Sequence, residues 1–149
     1  MRKTKTTTFQ NLREALDFAV AYIIPRRHLY VINVYGGGRL CRGQQAAIQI
    51  VDQEHVFLDG ELGLTLHLSF DPRTCADYYA LFQQSPLRNL FAFTPWHGIP
   101  CYAAKCGTDV DAALNLSYRV LSTIYLNADA LDLEIDVLDE GYWDDYFAD

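Results

Sequence analysis

Leu64-Thr65-Leu66-His67-Leu68-Ser69-Phe70 is the stretch that decides the fold. Large apolar residues alternate with threonine, histidine and serine, and a period of two sends the two sets to opposite faces of a strand. The segment therefore predicts a half-buried β-strand, stopped by Asp71-Pro72. Upstream, Asp59-Gly60 is a turn signal, and residues 44–51 and 54–58 read as two further strands. Leu29 to Tyr35 is rich in β-branched and aromatic residues, which favour strands, and it runs into the turn Gly36-Gly37-Gly38.

Helical periodicity flanks this run of strands. Phe9, Leu12, Leu16, Ala19, Val20 and Ile23 fall on one stripe, predicting a helix over 8–24. Thr7 and Gln10 have the spacing of a capping box, and Pro25 ends the helix because it has no N–H to donate. Residues 74–83 read as a short helix carrying Tyr78, Leu81 and Phe82, and residues 85–98 as an irregular connection. Ile99 to Lys105 follows as a strand. Thr108 and Asp111 then cap a helix over 109–126 with a broad apolar face. Finally Leu131, Leu133, Ile135 and Val137 alternate with Asp132, Glu134 and Asp136 in a last strand. A run of strands flanked by helices predicts an α+β fold. The expected form is a mainly antiparallel sheet of about five or six strands, with two long helices on one face and a shorter third.

The 149 residues fit one domain, 1–149, ending in an acidic aromatic tail from about residue 139. Half of the residues are hydrophobic, too many for a disordered chain. The basic start Met1-Arg2-Lys3-Thr4-Lys5 is followed by Arg13, Glu14 and Asp17, which interrupt any apolar leader, and no run is long enough to span a membrane. These features predict a cytoplasmic protein whose cysteines (Cys41, Cys75, Cys101 and Cys106) are reduced thiols.

A net charge of −7 argues against direct binding of nucleic acid or an anionic membrane. The charge is unevenly spread. Residues 1–43 carry eight bases and two acids, whereas residues 127–149 carry nine acids and no base. Exposure on the open side of a sheet accounts for Asp132, Glu134 and Asp136 by itself. Tyr142, Trp143, Tyr146 and Phe147 are more than a solubilising tail needs, and aromatic side chains concentrate binding energy. Together these seven residues form the expected partner-binding segment, meeting another protein, a second copy, or the chain's own basic half. The carboxylate ladder also admits a nucleic-acid mimic that occupies a phosphate-gripping protein.

Signatures of chemistry are weak. Gly36-Gly37-Gly38 lacks the pattern of a phosphate loop and is explained by a turn. His97, Cys101 and Cys106 have no second closely spaced pair to complete a zinc site, so neither metal nor cofactor is expected. No spacing selects a nucleophile, base and orienting acid, so no catalytic residue is assigned. Pro95-Trp96-His97-Gly98-Ile99-Pro100 holds an aromatic and an imidazole between two prolines in a stiff loop, and loops on rigid scaffolds carry function. Two function classes follow. The first is a non-enzymatic protein-binding domain, such as an inhibitor, an immunity-type protein or a chaperone-like accessory protein. The other is a small α+β enzyme or ligand-binding domain with a pocket near His67, Trp96 and His97.

Overall fold

The computed structural model describes residues 4–35, 46–125 and 133–142. The alternation in the leucine-rich segment extends sideways through its neighbours. Leu66 stands opposite Ile50, and Ile50 opposite Ile32, so three strands place their large apolar residues on the same face. The strands are β1 (Lys5–Phe9), β2 (His28–Tyr35), β3 (Ile48–Asp52), β4 (Leu64–Ser69), β5 (Ala92–Phe93), β6 (Cys101–Gly107) and β7 (Glu134–Tyr142). They form a seven-stranded sheet in the order β1-β7-β2-β3-β4-β6-β5. Every neighbouring pair is antiparallel. The helices are α1 (Leu12–Phe18), α2 (Gln53–Phe57), α3 (Ala76–Gln84) and α4 (Val110–Thr123). The fold is α+β. No helix among the described residues is long and apolar enough to cross a membrane.

One face of the sheet carries the main core. Tyr30, Ile32, Ile50, Leu66, Phe70, Ile135 and Val137 pack there with Leu12 and Leu16 of α1, Phe82 of α3, and Leu114, Val120 and Leu121 of α4. Each such side chain contributes about 1.5–3 kcal/mol by leaving water. Phe70 stacks at 5.1 Å on both Tyr79 and Phe82, tying α3 to the sheet.

Several expectations are corrected. Among the described residues the sheet has seven strands rather than five or six. Of the two long helices expected, the first is broken up: Thr6-Thr7-Thr8 belong to β1, and α1 starts only after Asn11, whose side-chain oxygen accepts the Glu14 N–H at 2.9 Å. β-branched threonines suit a strand better than a first helical turn. Ala19–Ile23 then widens into a π-turn and Ile24–Arg26 tightens into a 3₁₀ turn. Pro25 is the physical cause, because its ring displaces the carbonyl one turn back. In α4 the cap is Asp109, which accepts the Ala112 N–H at 3.0 Å, rather than Thr108. Residues 54–58, expected as a strand, lie in and just after α2. Asp52 caps α2 by accepting the Glu54 N–H, and Leu58 closes it at φ 54°. Five residues are too few for periodicity to separate helix from strand. Asp139 to Tyr142, expected in the tail, continue β7.

Candidate functional site

The opposite face of the sheet is where site and scaffold meet. Alternation that sends Ile32, Ile50 and Leu66 to the core sends Val31, Gln49, Val51 and His67 to this second face. Those four residues floor a cavity of about 400 Å³. His55 and Val56 of α2 wall one side, and Thr94, Pro95 and Trp96 wall another.

Both walls are fixed by short-range chemistry. Besides the Glu54 N–H, the buried Asp52 carboxylate accepts the Gly63 N–H at 3.1 Å. The Tyr30 hydroxyl donates to the Gly63 carbonyl at 2.9 Å, which pins the loop following α2. A side chain at Gly63 would place its Cβ 2.9 Å from the Gly107 Cα, so only glycine fits that approach. Burial raises the Asp52 carboxyl above its ordinary value, against the two backbone N–H bonds that lower it.

The other wall is a β-hairpin. Thr94 N–H donates to the Cys101 carbonyl at 2.7 Å, and Trp96 and Ile99 exchange both backbone bonds at 3.1 and 2.9 Å. Between them His97 (φ 50°) and Gly98 (φ 78°) both take positive φ, the signature of a two-residue turn that matches strand twist. The irregular connection expected over 85–98 is thus a 3₁₀ turn (Pro86–Leu90), the short strand β5 and this hairpin tip.

The structure brings His67 and Trp96 to one cavity. His97 points elsewhere: it occupies the turn, is exposed, and meets the Trp96 ring edge-on at 4.3 Å without lining the cavity. Trp96 keeps 65% of its surface exposed at the mouth. Burial, and then the neighbouring His55, lowers the His67 imidazole below its ordinary 6.5, so it is neutral near pH 7. Neutral imidazole offers one donor and one acceptor. Gln49 Nε2 donates to Asn33 Oδ1 at 2.9 Å, leaving its own side-chain carbonyl free to accept among the described residues. The Thr94 hydroxyl is buried with no partner among the described residues. Among the described residues five apolar and four hydrogen-bonding side chains therefore converge, with no carboxylate, lysine, arginine or thiol in the lining.

Sequence reasoning missed Gln49, Val51, Val31, His55, Val56 and Thr94 as neighbours of His67. The signal was present for the first three, because strand alternation fixes their face once β2, β3 and β4 are adjacent. His55 and Val56 needed α2 to be a helix.

The acidic segment is distributed differently. Asp132, Trp143, Tyr146 and Phe147 lie outside the described residues. Glu134 is exposed, while Asp136 accepts the Thr8 hydroxyl at 3.1 Å. His28 Nδ1 is 2.9 Å from Asp139 Oδ1, and its ring meets Tyr142 edge-on at 4.4 Å. Tyr142 nonetheless keeps 56% of its surface exposed. Cys101 and Cys106 are five positions apart on one strand, which sends them to opposite faces. Cys101 lies against Ser69 at 3.4 Å, and Cys106 packs toward the core, where burial pushes its thiol up to about 11. They cannot share an ion. Among the described residues no three metal-binding side chains come together. Compared with family models, with curated proteins and with solved structures, the chain finds no match in any of the three.

Proposed function

We propose that the chain is a ligand-binding domain whose second-face cavity takes a small, uncharged, partly apolar molecule. The cavity itself carries the reading. Its volume of about 400 Å³ falls within the range of small-molecule pockets, and its lining combines apolar walls with a few convergent polar groups. The lining holds no lysine, arginine or carboxylate among the described residues, which favours a neutral ligand over a bare carboxylate or phosphate that needs a fixed counter-charge.

Ligand-observed NMR with a library of neutral fragments tests this. Fragments should bind the native chain and lose binding in Val31→Trp, which fills the cavity from a half-buried floor position. Fragments that bind both proteins equally well, or none that bind the native chain, would refute the pocket.

A second reading is docking on a protein partner through the acidic aromatic segment, favoured by the exposure of Tyr142. Against it, Asp136 and Asp139 already bond within the chain. The appropriate truncation follows Tyr142, since an earlier stop would cut β7 itself.

A further inference from the structure

Strand register carries the polar character of the cavity floor far beyond the cavity. His67 stands opposite Gln49, Gln49 opposite Asn33, Asn33 opposite Asp136, and Asp136 opposite Thr8. Directly opposed residues share a face, so these five side chains form one row across β4, β3, β2, β7 and β1. Neighbouring strands lie about 4.8 Å apart, which makes the row about 19 Å long. Gln49, Asn33 and Asp136 are half-buried and Thr8 is exposed. Trp96 stands at the His67 end of the row.

From this we infer that the ligand is a neutral oligosaccharide, seated with one unit in the cavity against Trp96 and its further units laid along the row. The inference rests on the cavity being a ligand site. Sugar hydroxyls donate and accept at once, and the groups that answer them are planar amides, carboxylates and neutral imidazole, each with spare capacity here. Asn33 accepts from Gln49 and keeps both of its own N–H donors free among the described residues; Asp136 accepts from Thr8 through one oxygen and keeps the other. The apolar face of a sugar ring is matched by an exposed indole.

Competing classes fit less well. The row contains no lysine or arginine, and Asp136 repels phosphate, so it lacks the cations that hold a nucleic-acid backbone. An extended peptide calls for an open strand edge or a series of side-chain pockets. The row instead crosses the strands, and its apolar cavity lies at one end.

The test titrates the ¹⁵N-labelled full chain with neutral monosaccharides and linear tetrasaccharides of glucose, mannose, galactose, xylose and N-acetylglucosamine, and with adenosine and uridine. At least one tetrasaccharide should bind 10-fold or more tightly than its monosaccharide, shifting Asn33 and Asp136 together with Gln49 and His67. Asn33→Ala and Asp136→Ala should bring that ratio close to one while thermal unfolding stays near native. A sugar that binds with no dependence on length would overturn the row and leave the cavity standing. Nucleosides that bind where no sugar does would overturn the sugar assignment and likewise spare the cavity. If no probe perturbs Gln49, His67 or Trp96, and the neutral fragments also fail, both readings fall together.

Discussion

At the scale of single residues, His67 links the site to stability. Its imidazole titrates below 6.5 in the folded chain and near 6.5 in the unfolded one. As pH falls through 6.5 the unfolded chain takes up the proton first, so the folded state loses stability until pH reaches the lowered value. Thermal unfolding of the native protein should therefore shift down between pH 7 and pH 5 by more than that of His67→Gln. Parallel curves would mean that His67 has an ordinary proton affinity in the fold. The position of His67 could be read from sequence, because Thr65, His67 and Ser69 alternate with leucines that must be buried. Its partners were harder to see. Gln49 and Asn33 are unremarkable polar residues until strand order makes them neighbours.

Elements differ in legibility according to how much of their stability is local. β4 and α4 carry enough periodic apolar residues to announce themselves. α2 has five residues and exists because the Asp52 carboxylate caps it and Leu58 can close it. β5 has two residues and is held by β6. The hairpin tip was visible as a rigid segment between prolines, but its geometry depends on positive φ at His97, which histidine adopts at a cost. Asparagine adopts that conformation more readily, and Asn-Gly is the preferred pair for such a turn. His97→Asn should raise stability by about 0.5–1 kcal/mol in urea unfolding and leave binding at the cavity unchanged, since His97 is outside its lining. A loss of stability would mean that the ring contact with Trp96 outweighs the backbone strain.

For the whole molecule, a single sheet with one helix-covered face has a gradient of protection. β3 and β4 lie among neighbours on both sides, whereas β1 is an edge strand with four of its five residues exposed. Backbone hydrogen exchange should be slowest in β3 and β4 and fastest in the edge strands β1 and β5, because edge strands open with less of the core. Equal protection across the sheet would indicate that β1 is covered in solution. That strand was the hardest to foresee. Lys5 to Phe9 has no partner nearby in sequence, and its pairing is with Asp139 to Ile135. Composition and local pattern cannot report a contact between opposite ends of a chain.

The seat of β7 between β1 and β2 also orders events during synthesis. Among the described strands β1 is made first, yet the strand it pairs with, β7, is made last. Until then β2 presents a bare edge and β1 waits as unpaired nascent chain. A chain ended before residue 134 therefore lacks β7 and leaves the β2 edge of the described strands β2 to β6 open to pairing with a neighbouring copy.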